Sequence, residues 1–171
     1  NISRPVRAFV ASIAGAPSAI EASPQAARDH RKPSIAVLPF TNMSDDADQE
    51  FFADGLTEDT LTELSRFRDL LVISRNSTFK YKGQAVDVPS VAKALNVQYV
   101  VEGSVRRAGN RVRITVQLID GETDRHVWAE KYDRDLEDVF AIQDEVVRSI
   151  VAILPGRIEA ATRARAENKR T

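Results

Sequence analysis

Residues Val97–Tyr132 read VQYVVEGSVRRAGNRVRITVQLIDGETDRHVWAEKY, and the alternation in this stretch decides the fold. Within Arg111–Ile119, Val112, Ile114, Val116 and Leu118 fall on one side, and Arg111, Arg113, Thr115 and Gln117 on the other. A period of two is the signature of a strand with one buried face and one wet or lightly covered face. Val97–Arg106, rich in Val and Tyr, precedes it across a turn at Ala108-Gly109-Asn110. Asp120-Gly121 opens a second turn into Arg125–Tyr132. Glycine supplies the positive φ that such turns need, and Asn or Asp can bond its own backbone. The result is a three-stranded antiparallel meander, which must pack its apolar face on something.

The flanking segments supply that partner. Val139–Leu154 carries Val139, Ile142, Val146, Ile150 and Ile153 on one helical face, and Pro155-Gly156 is expected to stop or kink it. Residues 157–170 are helix-forming but highly charged. Upstream, Ile35-Ala36-Val37-Leu38 is a short buried strand that Pro39 ends. A polar loop over 42–48 leads to a helix from Phe51 to Leu64, with Phe52, Leu56, Leu61 and Leu64 in one stripe and Asp48 as the expected cap. Leu70–Ser74 is a second short strand, and strand–helix–strand order predicts a parallel pair. Residues 75–87 form an irregular connection. Pro89–Leu95 is a short helix, with Asn96 suited to a left-handed position at its end. The expected fold class is α/β: a single compact domain over 34–154, with a mixed sheet of about five strands that includes the meander, packed by about three helices. Residues 11–33, with Pro17, Pro24 and Pro33, read as a linker; Arg4–Val10 reads as one strand, and 155–171 as a charged helical extension.

The totals narrow the function. The chain has 171 residues, is 43% hydrophobic and 29% charged, and has a net charge of -1. No bulk basic field argues for nucleic acid. The absence of cysteine excludes disulfides, thiol nucleophiles and thiolate metal sites. No run of apolar residues is long enough to span a membrane. The opening Asn1-Ile2-Ser3-Arg4 has neither an initiator Met nor the pattern of a signal peptide, as expected of a fragment.

Catalytic signatures are missing: there is no phosphate loop and no zinc-protease motif. Catalytic, cofactor and metal residues are therefore expected to be none. The acidic loop Asp45, Asp46, Asp48 lacks the glycine and distal Glu of a calcium loop, so solvation and helix capping explain it better than a cation. Ser104 with His126 is a weak candidate for hydrolysis, because nothing marks Ser104 as a nucleophile elbow. Gly103 is expected to serve packing. A cationic set is the sharpest candidate. Arg75, Lys80, Lys82, Arg106, Arg107, Arg111 and Arg113 cluster in sequence, and guanidinium forks suit phosphate or carboxylate. Arg75, Arg106, Arg111 and Arg113 are the candidate anion site, against a plain salt-bridged surface with Glu102, Glu122 and Asp124. Trp128 and Tyr132 are core aromatics or protein contacts. Asp138 is a candidate cap for the last helix, and Asp133 a candidate partner of Arg134.

Ser34-Ile35-Ala36-Val37-Leu38-Pro39-Phe40, Phe52-Ala53-Asp54-Gly55-Leu56 and Leu71-Val72-Ile73-Ser74-Arg75 resemble the TolB-like amino-terminal domain of bacterial regulatory proteins. So do Val101-Glu102-Gly103-Ser104-Val105-Arg106 and Trp128-Ala129-Glu130-Lys131-Tyr132. That resemblance covers about 34–154. It implies a regulatory domain lying between an output domain, either a class III cyclase or a winged-helix regulator, and tetratricopeptide repeats. Asn1–Phe9 resembles the closing strand of a class III adenylate or guanylate cyclase domain. The implied parent would use Mg or Mn with ATP or GTP, whereas this stretch would hold no cofactor. The expected partners are other domains of the same polypeptide and a second copy in a homodimer, with no nucleic acid. The expected location is the cytoplasm, and the alternative role is a sensor of a small anionic ligand.

Overall fold

The computed structural model describes residues 32–170. The expectations for 1–10 and for 11–31 lie outside the described residues. Six strands form one mixed sheet: β1 (Ser34–Val37), β2 (Thr41–Asn42), β3 (Leu71–Val72), β4 (Tyr99–Ala108), β5 (Arg111–Asp120) and β6 (His126–Asp135). The order is β3-β1-β4-β5-β6, with β2 also beside β4. The helices are α1 (Asp48–Leu64), the single turn α2 (Arg75–Thr78), α3 (Val88–Leu95) and α4 (Val139–Arg170). The expected α/β architecture is therefore the observed one, with one more strand and one more helix.

The meander follows the alternation. Val105 stands opposite Ile114, which stands opposite Tyr132, and Arg106, Arg113 and Asp133 form the next row. Directly opposed residues point to one face, so apolar and polar rows alternate across all three strands. Gly109 takes φ +61° in the first turn. In the second turn the positive φ belongs to Asp124, at +59°, and not to Gly121. Gly121 is needed for space, because a Cβ there would lie 2.5 Å from the Cβ of Ala92.

β1 pairs parallel with both β3 and β4, as strand–helix–strand order predicts. Leu38 donates its amide to Val101, Pro39 interrupts the ladder, and pairing to β4 resumes at Thr41. Pro39 does not end the edge for good: it splits one path into β1 and β2.

The two faces of the sheet bury different cores. On one, Ile35, Val37, Tyr99, Val101, Val105, Ile114 and Leu118 pack against Phe52, Leu56 and Leu64 of α1 and Ile142, Val146, Ile150 and Leu154 of α4. On the other, Ala36, Leu38, Val100 and Ile119 meet Val88, Val91 and Ala92 of α3. Since α3 has only eight residues, it covers one end of that face and leaves the rest open.

Local signals explain the helix ends, with some reassignment. Asp87 accepts the amide of Ser90 and caps α3, and Asn96 closes it at φ 55°. Asp138 accepts the amides of Phe140 and Ala141, as expected. Asp48 does not cap α1; it is the first helical residue, and Asp46 accepts its amide at 3.0 Å. Arg134 pairs with Glu145 of α4, not with the carboxylate of Asp133.

Pro155 does not stop the last helix but lies inside α4. An interior proline costs about 3 kcal/mol, through a missing amide hydrogen and a clash with the preceding turn. Leu154 and Ile158, on either side of it, are both 0% exposed. Burial of each returns about 1.5–3 kcal/mol, so packing outweighs the local breaker. The charged residues 157–170 thus carry a buried seam, in which Thr162 meets the Tyr99 hydroxyl at 3.1 Å and Arg165 reaches Asp120.

Candidate functional site

The polar rows on the open sheet face form the floor of a groove. Glu102 of β4 lies opposite Gln117 of β5, Ser104 opposite Thr115, and Thr41 of β2 beside Ser104. The connection between α2 and α3 stands over them. Tyr81, Lys82 and the segment 83–86 form one wall, Leu38 and Met43 another, around a volume of about 480 Å³. Gly83 turns this wall at φ +75°.

The charged residues lining the groove are Lys82, Glu50 and Glu102. Lys82 is held by Asp54 at 2.6 Å and Glu50 at 3.6 Å. Its ammonium is pushed above its usual range, chiefly by the hydrogen bond to Asp54. Glu102 has no hydrogen-bond or ion-pair partner among the described residues. Burial pushes its carboxyl up, the nearby Asp124 adds to this, and His126 works against it. None of the side chains of Thr41, Ser104, Thr115 and Gln117 bonds to another described residue. The sequence treated Glu102 only as a salt-bridge partner, and the groove escaped it. The available signal was the pairing of the wet positions Thr115 and Gln117 with Ser104 and Glu102 across the first turn.

The cationic set divides. Arg75 bonds to Glu58 of α1 at 2.7 Å and stacks over Phe79 at 4.1 Å. Arg106, Arg111 and Arg113 share the rim of a separate cleft at the β4–β5 tip, with Asp133. Arg113 forms a two-pronged bond to Asp133, at 2.7 and 3.2 Å, and Arg111 lies 3.8 Å from Asp135. The guanidinium holds the Asp133 carboxyl below its usual range. The acids that pair with this surface come from β6, not from Glu102, Glu122 or Asp124. Lys80 lies over the Tyr81 ring, and Arg107 bonds to Asp46 at 2.7 Å.

Other candidates resolve simply. Trp128 and Tyr132 are 8% and 7% exposed and belong to the core. Ser104 and His126 do not converge. Their partners on β5 are Thr115 and Ile119, four residues and about 13 Å apart along the strand. Gly103 serves packing, since a Cβ there would stand 2.6 Å from the Phe40 ring. In the acidic loop, Asn42 donates to the Asp46 carbonyl and accepts from Ser44, which makes it a bonded turn. Among the described residues no group of three or more His, Asp or Glu is placed to hold a metal. No described helix is long and apolar enough to cross a membrane.

The chain is 57% identical over 138 residues to "Putative adenylate cyclase 3" of Rhizobium meliloti (strain 1021). The match takes in 81% of this chain and 24% of that protein, so the chain spans about a quarter of its relative. Among solved structures, lipoprotein GNA1162 from Neisseria meningitidis shares the fold, with TM-score 0.51, 20% identity, and coverage of 70% of this chain and 96% of that one. TolB from Acinetobacter baumannii aligns with TM-score 0.49 and 20% identity over 72% of this chain and 29% of that one. The fold is shared with a lipoprotein, and it does not support the expected cytoplasmic location. The model of the second domain of HilA/YgeH-like transcriptional regulators matches residues 30–153, and the chain belongs to that family.

Proposed function

We propose that this domain is a non-catalytic regulatory and protein-interaction module of a class III nucleotide cyclase, whose other parts would convert ATP or GTP into a cyclic nucleotide with Mg or Mn. The observation that carries this reading is the 57% identity to a protein named as an adenylate cyclase, of which the chain spans only 24%. The family description supports it from another side, because it assigns the same kind of domain to transcriptional regulators. A module found beside two unrelated outputs suits a shared regulatory task better than either output. In this reading residues 1–10 close the cyclase domain, 11–33 link it to the module, and the C-terminal helix leads toward tetratricopeptide repeats. Regulation would pass through contacts with neighbouring domains or a second copy, at an effective concentration set by the linker. The experiment compares cyclase turnover and oligomeric mass of the parent with and without residues 33–170. Altered turnover or mass is expected; unchanged values across concentrations spanning assembly would defeat the reading.

A further inference from the structure

The groove on the open sheet face has the makings of a binding site. Its volume, about 480 Å³, lies in the range of small-molecule pockets. Its floor is built on β4 and β5, the central and most regular part of the sheet, so its side chains are held by a rigid element. Glu102 stands there with no cation at ion-pair distance among the described residues, and His126 acts on its charge without bonding to it. The lysine that lines the groove, Lys82, is already claimed by Asp54 and Glu50, so the groove as a whole keeps a surplus of negative charge. Around Glu102 lie uncharged groups that both donate and accept: the Ser104 and Thr115 hydroxyls and the Gln117 amide. Tyr81 adds an aromatic wall.

We propose that this groove binds a small organic cation, a ligand with a primary ammonium or guanidinium group that pairs with Glu102 and with hydroxyl, amine or amide groups that reach Ser104, Thr115 and Gln117. An anion such as a nucleotide phosphate meets repulsion there, because the one available charge is a carboxylate. A bare metal ion finds a single carboxylate, where a hard cation wants several oxygen ligands. An ammonium or guanidinium needs only one carboxylate and a few neutral acceptors, and an aromatic face adds to its attraction.

The test titrates the 171-residue chain with agmatine and putrescine, and separately with AMP, following backbone amide shifts and heat. Saturable binding of at least one of the two cations is expected, with shifts centred on residues 102–104 and 115–117, and no binding of AMP at this groove. Glu102→Gln should weaken the cation about tenfold or more, whereas Arg113→Ala at the distant tip should leave it unchanged. Absence of saturation by both cations at about 10 mM would overturn the proposal, as would equal affinity in Glu102→Gln. Cation-induced shifts confined to other parts of the wild-type chain would also overturn it, whatever the variants do.

Discussion

Arg165, near the end of the last helix, bonds to Asp120 at the end of β5, with side chains only 19% and 16% exposed. The guanidinium also lies over the Tyr99 ring, at 5.4 Å. Burial pushes the Asp120 carboxyl up, but the bond from Arg165 and the amides of Glu122 and Thr123 outweigh it and bring it below its ordinary value. A carboxyl lowered in the folded state stabilises above its unfolded value and loses that contribution as pH falls through the folded one. Arg165→Met keeps the aliphatic stem and removes the charge. It should cost about 1–2 kcal/mol in urea unfolding at pH 7. The gap from wild type should narrow as pH drops below 3.8, the ordinary value for this carboxyl.

The same helix makes a second prediction. Ile158 lies beyond Pro155 and is completely buried in the core shared with α1. Ile158→Ala should cost about 2–4 kcal/mol, the range for emptying a buried aliphatic site. Arg157, its exposed neighbour, should tolerate alanine within about 0.5 kcal/mol. Equal effects of the two substitutions in chemical unfolding would mean that the helix after Pro155 does not pack on the sheet.

Two glycines should respond in opposite directions. At Gly103 a methyl group would stand 2.6 Å from the ring of Phe40, itself only 2% exposed and unable to swing away. Gly103→Ala should therefore destabilise by about 1–3 kcal/mol. Gly156 lies in α4 with no neighbour within 4 Å of a built Cβ. There, Gly156→Ala should stabilise by about 0.5–1 kcal/mol by restricting the unfolded chain and improving helix propensity. Thermal unfolding of both variants checks the pair.

These contrasts show what could be read from residues alone. Val112, Ile114, Val116 and Leu118 announced their strand because a two-residue period is a local property, and the Phe52–Leu64 stripe announced its helix in the same way. Pro155 misled because its cost is local while its compensation, at Leu154 and Ile158, comes from strands far away in sequence. From the sequence, the acids expected for Arg113 are Glu102, Glu122 and Asp124, because its actual partner, Asp133, lies 20 residues on, across a strand pair. The groove was hidden for a related reason. Thr41, Tyr81, Glu102 and Gln117 come from four separate segments, and only the register brings them around one space.

Glu102 yields the last prediction. Burial, and then repulsion from Asp124, raise its carboxyl above the ordinary value of 4.5, while His126 pulls the other way and Lys82 is occupied by Asp54 and Glu50. A carboxyl raised in the folded state favours folding most when protonated, and that advantage is lost as pH climbs through the raised value. At pH 7 the unpaired carboxylate is therefore a cost that the wild-type chain carries. Glu102→Gln, which keeps the shape and removes the charge, should melt at a higher temperature than wild type at pH 7. The two should converge as pH falls below 4.5, where wild type is itself uncharged at this position. A Gln variant that melts lower at pH 7 would mean that the carboxylate is already compensated within the folded chain. Adding agmatine should raise the wild-type melting temperature at pH 7 and leave that of the Gln variant nearly unmoved, because only the wild type offers the cation a charge to neutralise.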